Sequence, residues 1–222
     1  MTSPSFDWIA HHASVRGDKL AVHDLDSDRK FTYSQMNERT SRLAAALREA
    51  FSIKRGDRVA VLAENDSNFF EVQFACWKLG AVFVPLNWRL SIPELEYIVG
   101  DADPDVIIHD DAFVDNATKL AELCQIDHRI SWGSDTQGSA TYEEVLTSHE
   151  PLSGSEKCTH DDTLTIMYTS GTTGRPKGAI ITQGMTFWNA VNCVEYYGCA
   201  ESMINLAFLP LFHTGGLNVF AN

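Results

Sequence analysis

Residues 168–178 read Tyr168-Thr169-Ser170-Gly171-Thr172-Thr173-Gly174-Arg175-Pro176-Lys177-Gly178, and both fold and chemistry turn on that stretch. Before it runs Thr163-Leu164-Thr165-Ile166-Met167, β-branched and apolar; after it comes Ala179-Ile180-Ile181-Thr182. Both flanks have strand composition. Between them lie three glycines, four aliphatic hydroxyls (Thr169, Ser170, Thr172, Thr173) and two cations, Arg175 and Lys177. Glycines at 171, 174 and 178 are free to take positive φ and let the backbone approach a ligand closely. Successive N–H groups and hydroxyls then form a nest of donors suited to phosphate oxygens, and Lys177 adds a compact positive charge. Each hydrogen bond to a charged phosphate oxygen contributes roughly 1.5–3 kcal/mol, so several together hold a polyphosphate.

The Walker loop, G-x-x-x-x-G-K-[ST], is the nearest comparison. Gly171 and Lys177 have its spacing, but Pro176 precedes the lysine and Gly178 follows it. Proline has no N–H for a phosphate, and glycine has no hydroxyl for a magnesium ion. The flanks read strand–loop–strand, whereas a Walker loop opens a helix. This is a phosphate loop of another kind.

Upstream, strands alternate with helices. A first helix is expected within 6–20, with Trp8, Ile9 and Ala13 on one side. Ala21–His23 and Lys30-Phe31 read as short strands joined by a polar turn. Thr32 and Gln35 make a T-x-x-Q capping box for a helix with Tyr33, Met36, Thr40, Leu43, Ala44 and Leu47 at helical spacing. Its other side carries Glu38, Arg39, Arg42, Arg48 and Glu49 and reads as a solvated face. Arg58–Ala63 reads as a buried strand, and Asn65, Asp66 or Ser67 caps a helix running to about Leu79, stopped by Gly80. Ala81–Val84 is the next strand, ended by Pro85. Ser91 and Glu94 form a second capping box ahead of Leu95 and Ile98, and Asp105–His109 is a further strand. The alternation predicts an α/β fold with a largely parallel, covered sheet.

Residues 111–150 are less regular: a helix is expected over Asn116–Gln125 and a Gly/Ser loop over Ser131–Ala140. Pro151–Asp162 reads as a polar linker into the central strand. Gly184–Tyr197 is expected as a helix with Phe187, Val191 and Val194 on one side, either packed in the core or lining a pocket. Asn205–Leu211 reads as a strand ending at a proline, followed by Phe212-His213-Thr214-Gly215-Gly216. A lone histidine such as His213 is more often structural than catalytic. The domain division expected is 1–160 for a first α/β region and 161–222 for the phosphate loop and the start of a second.

Bulk properties narrow the class. Of 222 residues, 44% are hydrophobic, enough for a buried core in one large domain or two small ones. Seventeen basic against thirty acidic residues give a net charge of −13, which argues against a nucleic-acid surface. An anionic ligand must be drawn by a local basic site, and Arg175 and Lys177 supply one. The cysteines at 76, 124, 158, 193 and 199 are odd in number and form no C-x-x-C pair, so buried free thiols are expected rather than disulfides or a metal site. Met1–His12 has neither the basic nor the apolar region of a signal peptide, and no apolar run reaches membrane-spanning length. A cytoplasmic location is expected, with homo-oligomer formation left open.

TSGTTGRPK resembles the signature of the AMP-forming adenylating superfamily: acyl- and aryl-CoA synthetases, luciferases and the adenylation domains of peptide synthetases. The T-Y-x-x-M helix start at Thr32, the GDRVA strand at 56–60 and GAVFVPLN at 80–87 are similar to that superfamily's N-terminal region, in the same order. PLNWRL (85–90) resembles the P-x-N-x-R-L of acyl-CoA synthetases rather than the P-L-D-P pattern of peptide-synthetase domains. LPLFHTGG (209–216) resembles the family's second active-site segment, where a histidine or aromatic stands beside the bound carboxylate and nucleotide. One departure is Thr182-Gln183-Gly184-Met185, where the family usually shows T-H-x-N.

The resemblance implies a two-step ligase. A carboxylate attacks the α-phosphorus of ATP to give an acyl-adenylate and pyrophosphate, and coenzyme A then displaces AMP. Thr169, Ser170, Gly171, Thr172, Thr173, Gly174, Arg175 and Lys177 would hold the β- and γ-phosphates, with Lys177 offsetting charge as pyrophosphate departs. Mg²⁺ would bridge phosphate oxygens, with no metal-ligand set expected on the chain itself. His213, with Thr214 and Gly215, would face the small-molecule carboxylate, a fatty acid by family frequency. The resemblance covers nearly the whole chain but less than half of a typical member, which implies an N-terminal fragment with little ligase activity of its own. A luciferase-like or amino-acid-adenylating relative, and a non-catalytic phosphate-binding or interaction module, are the alternatives.

Overall fold

The computed structural model describes residues 3–134, 137, 139–169, 175–198 and 202–221. Asp7 Oδ1 accepts the Ala10 N–H at 3.0 Å and starts helix α1 (Trp8–Arg16). Strands β1 (Leu20–His23) and β2 (Lys30–Thr32) pair antiparallel in a sheet of their own. Gln35 N donates to Thr32 Oγ1 at 3.3 Å and Thr32 N donates to Gln35 Oε1 at 2.8 Å, closing the expected capping box of α2 (Tyr33–Glu49).

Strand–helix alternation then builds the main sheet. In chain order come β3 (Arg58–Leu62), α3 (Asn68–Leu79), β4 (Val82–Pro85), α4 (Ile92–Ala102), β5 (Val106–His109), α5 (Val114–Cys124) and β6 (His128–Ser131). β7 (Ala140–Thr141), α6 (Tyr142–Thr147), β8 (Thr163–Thr169), β9 (Lys177–Thr182), α7 (Gln183–Tyr197) and α8 (Thr214–Ala221) follow. The strand order is β7-β6-β5-β3-β4-β8-β9. Every ladder is parallel except the last, where β9 returns antiparallel to β8. The α/β, largely parallel expectation is therefore met.

The period of two along the strands sorts their side chains onto two faces. Val59, Val61, Phe83, Val106 and Ile108 enter a core shared with α2, α3 and α6. Ala60, Leu62, Val82, Val84 and Ile107 enter the opposite core, under α4 and α5. Covering both faces explains why these strands read as continuous apolar runs. Phe69 and Phe83 meet edge to face at 6.1 Å, and each is fully buried, worth about 1.5–3 kcal/mol apiece relative to exposure.

α3 is buried at all twelve of its positions, including the carboxyl of Glu71 and the amine of Lys78. Glu71 accepts from Arg39 Nε at 2.7 Å and Nη2 at 3.1 Å, and from the Tyr142 hydroxyl at 2.9 Å. Arg39 also reaches the exposed Glu143 at 2.6 Å. Lys78 Nζ donates to Asp7 Oδ2 at 2.7 Å and Asn37 Oδ1 at 2.8 Å. Burial pushes the Glu71 carboxyl upward, and the opposing pull of Arg39 and Tyr142 does not cancel it. The two carboxylates in turn hold the Arg39 guanidinium above its usual range, against the effect of its own burial.

These contacts revise the expected solvated face of α2. Arg39 and Arg42 turn inward at their tips, Arg42 donating to His149 O at 2.8 Å, because long cationic side chains lay their stems on apolar surface while their heads find acceptors. Other differences are local. α3 is capped through Asp66, whose Oδ1 accepts from Asn68 N at 2.7 Å, while Ser67 makes no cap bond. The helix expected over Asn116–Gln125 starts earlier, at Val114, and β6, β7 and α6 lie in the stretch that showed little pattern. Pro151–Asp162 leads into β8, the penultimate strand of the sheet rather than its centre. Asn205–Leu211 forms no strand: its backbone enters no ladder among the described residues, and Leu206 and Phe208 are exposed. Val191 and Val194 of α7 are exposed too, so Phe187 alone of that expected trio packs inward, stacked on Trp8 at 6.2 Å. Of the cysteines described, Cys76, Cys124 and Cys158 are free thiols. Among the described residues no helix is long and apolar enough to cross a membrane.

Candidate functional site

The β8–β9 hairpin places the phosphate-loop residues. Thr169 closes β8 opposite Lys177, which opens β9, so the two stand as partners at the mouth of the hairpin. Thr169, Arg175 and Lys177 are all exposed. Neither cation makes an ion pair with a described residue; Arg175 instead lies over the Tyr97 ring, its Cζ 5.7 Å from the centroid. Two cations without a neutralising carboxylate, on a chain of net charge −13, are a donor set suited to an anion. Ser170, Gly171, Thr172, Thr173 and Gly174 lie outside the described residues.

The expected role of Gly178 changes. It sits within β9 opposite Tyr168 and is not among the glycines with positive φ. A Cβ there would come within 2.8 Å of Ile166 Cγ2 and 3.2 Å of Tyr168 Cζ. Glycine is needed because the Tyr168 ring crosses the strand at that point, not for backbone freedom. The Tyr168 hydroxyl continues outward and donates to Asp101 Oδ2 on α4 at 2.6 Å. Burial first, and then the Asp101 carboxylate, raise the phenol above its usual range, so it stays a donor.

The mouth of this hairpin lies at the carboxyl end of β8, which runs parallel to β4. β3 leads through α3 to β4 on one side, whereas β4 leads through α4 to β5 on the other side of β3. α3 and α4 lie on opposite faces of the sheet. The reversal opens a crevice between the carboxyl ends of β3 and β4, the place where open α/β sheets take ligands.

The segment carrying His213 is held at that crevice. Asn65, just after β3, grips both sides of Pro210: its amide nitrogen donates to Leu209 O and its oxygen accepts from Leu211 N, each at 2.9 Å. Trp88, just after β4, meets Phe212 edge-on at 6.4 Å, and Arg89 lies over both rings. His213 precedes α8, and its Nδ1 accepts the Gly215 N–H at 3.2 Å. A neutral ring so engaged carries its proton on Nε2, which is left to face outward from an exposed side chain. Thr214 and Gly215 are exposed beside it. At Gly216 a Cβ would meet Pro210 O at 2.3 Å, so the first turn of α8 closes tightly on the Leu209–Pro210 backbone only with glycine there.

The structure thus puts the hairpin mouth and the His213 segment on the same, carboxyl-end side of the sheet. No hydrogen bond or ion pair between described residues joins Lys177 to His213. The sequence offered Asn65 only as a candidate helix cap and did not single out Tyr97 or Asp101, because what these three side chains face is set by segments far along the chain. Among the described residues no group of three or more His, Cys, Asp or Glu side chains is gathered to hold a metal ion.

Comparison with known proteins agrees with this fold. Residues 9–222 match the AMP-binding enzyme family. The indoleacetate–CoA ligase of Aromatoleum aromaticum is 35% identical over 213 residues, which are 96% of this chain and 41% of that protein. Among solved structures, the inhibitor-bound N-terminal domain of FACL13 from Mycobacterium tuberculosis superposes with a TM-score of 0.84 at 30% identity, covering 100% of this chain and 54% of that one. The o-succinylbenzoate CoA synthetase MenE of Bacillus subtilis, in complex with its acyl-adenylate intermediate, gives 0.83 at 28% identity, covering 99% of this chain and 42% of that one. The chain therefore spans about two-fifths of the length of the curated relatives it matches. From residue 9 to residue 222 it belongs to the AMP-binding enzyme family, in its acyl-CoA ligase branch.

Proposed function

We propose that these residues supply the nucleotide-phosphate grip of an ATP-dependent acid–thiol ligase. The observation that carries this reading is the cationic hairpin mouth, Thr169 with Arg175 and Lys177, at the carboxyl end of β8. In the first half-reaction a carboxylate oxygen forms a bond to the α-phosphorus of ATP. The bond to the β-phosphate oxygen breaks, and pyrophosphate leaves with the electron pair. Two anions must be brought together, so the protein's task is alignment and charge neutralisation. Lys177 offsets charge on the departing pyrophosphate, Arg175 and the loop 170–174 hold its oxygens, and His213 offers its Nε2–H to the acyl carboxylate, beside Thr214 and Gly215. In the second half-reaction the thiol of coenzyme A displaces AMP.

A magnesium ion, when bound, would neutralise and orient phosphate oxygens. The acid is a carboxylic acid of open identity. Of the relatives named above, one is an indoleacetate–CoA ligase and another an o-succinylbenzoate CoA synthetase, both named for aryl-bearing acids, while a long-chain-fatty-acid–CoA ligase of Mycobacterium tuberculosis is 32% identical to the chain, so aryl and fatty acids both belong in the test. We infer that turnover needs more of the relatives' length than these residues span.

The test is carboxylate-dependent ATP–pyrophosphate exchange, run on the full gene product with a panel of aryl and fatty acids. Lys177→Ala should slow exchange at least tenfold, about 1.4 kcal/mol of barrier. An unchanged rate would remove Lys177 from the mechanism, and no exchange with any acid would remove the ligase reading.

A further inference from the structure

We propose that Tyr97 and Asp101 of α4 are positioning residues for the phosphate loop, gripping its two ends through Arg175 and Tyr168 and so holding it ready for a triphosphate. The inference rests on the phosphate-loop reading above and adds to it a seat on a neighbouring helix.

α4 buries Leu95, Ile98, Val99 and Ala102 and turns Tyr97 and Asp101 outward, four residues apart on one face. Each meets one end of the loop. Asp101 accepts the Tyr168 hydroxyl at 2.6 Å, anchoring the end of β8 one residue before Thr169. The Tyr97 ring, 36% exposed, lies under the Arg175 guanidinium at 5.7 Å. The Tyr168 ring is itself clamped over Gly178, whose missing side chain leaves it room. One aromatic thus links β8, β9 and α4 at the base of the hairpin mouth, and a second holds the first cation after the loop. A loop whose ends are fixed before binding loses less freedom when the ligand arrives.

The grip and simple electrostatics make opposite predictions for Asp101. As a bare negative charge beside an anion site it would weaken phosphate binding, so its removal would tighten binding. As an anchor its removal loosens the loop and weakens binding. The experiment is calorimetric titration of the full gene product with inorganic tripolyphosphate, alongside thermal unfolding. Asp101→Ala and Tyr168→Phe should each weaken binding about tenfold, or 1.4 kcal/mol. The double variant should be no weaker than either single one, since both break the same bond. Asp101→Asn keeps an acceptor oxygen and sheds the charge, and should bind at least as tightly as the wild type. Tyr97→Leu should weaken binding by a smaller factor, about threefold for an exposed cation–π contact.

Unchanged or tighter binding by Asp101→Ala, or unchanged binding by Tyr168→Phe, overturns the inference while leaving the phosphate loop in place. So does an Asp101→Asn variant that loses as much affinity as Asp101→Ala. If Asp101→Ala fails to fold, the Tyr168→Phe and Asp101→Asn pair decides. Failure of the wild-type chain to bind tripolyphosphate sinks the phosphate-loop reading itself, and the inference with it.

Discussion

Replacing Arg39 by alanine should be among the most damaging single changes away from the hydrophobic core. Glu71 is fully buried and keeps three donors: Arg39 Nε, Arg39 Nη2 and the Tyr142 hydroxyl. Without Arg39 the carboxylate retains one, at 2.9 Å, and loses the only cation paired with it among the described residues. Breaking a buried pair from one side costs about 3–5 kcal/mol, because an uncompensated charge stays behind. For a chain of this length that corresponds to a fall in Tm of roughly 6–20 °C. Urea unfolding at pH 7 measures it as a lower midpoint at unchanged slope. The sign of the pH dependence follows from Glu71. Burial holds its carboxyl above the ordinary value in the folded chain, so its protonated form favours folding at low pH and that contribution is lost as pH rises. The Arg39→Ala deficit should therefore be smaller at pH 5 than at pH 8. Replacing the whole group with apolar residues, Arg39→Met with Glu71→Leu and Tyr142→Phe, leaves no orphan and should stay within about 2 kcal/mol of the wild type. Arg39→Ala within about 1 kcal/mol of the wild type, or a triple variant as unstable as the single one, would refute this account.

Gly178→Ala forces a methyl against Ile166 and the Tyr168 ring, at 2.8 and 3.2 Å, and should cost about 1–3 kcal/mol of overpacking; an unaltered Tm would show that the ring yields freely. Asp7 is pushed up by burial but pulled further down by Lys78, the Ala10 N–H and Ser155, so its pKa lies below the ordinary 3.8. Its contribution is present above that value and lost as pH falls through the folded one. Asp7→Asn, which keeps the cap on α1, should lower stability at neutral pH, with the gap to wild type closing below about pH 4; a constant gap across that range would rule out the Lys78 pair as its source.

Much of the architecture was legible because its signals are local. Thr32 with Gln35 announces α2 over a span of three residues, and the apolar runs at 58–62, 82–85 and 106–109 can be satisfied only by a sheet covered on both faces. The hairpin around 169–177 was readable as strand–loop–strand because proline and glycine flank Lys177 where a helix would have to begin. What escaped depends on partners far along the chain. β7 is two residues long and β6 four, too short for a period to show. Arg39 looks like any helix-surface cation until Glu71 and Glu143, 32 and 104 residues away, come into reach. Asn205–Leu211 has strand composition, but strand composition needs a ladder, and Asn65 instead fixes the end of that segment as a folded turn. Gly178 was readable as essential for the wrong reason, since the ring that excludes a side chain arrives from the opposite strand.

α3 has a consequence for how this sequence can drift. Its acid and its base sit seven residues apart, two turns along one helix, and each is tied to a different neighbour: Glu71 to α2 and α6, Lys78 to the start of α1 and to Asn37. Neither can be altered alone without stranding its counterpart. Positions 39 and 71, and likewise 7 and 78, should therefore be inherited as couples. A library randomised at all four would return linked solutions, salt-bridged or wholly apolar, and few mixtures of the two.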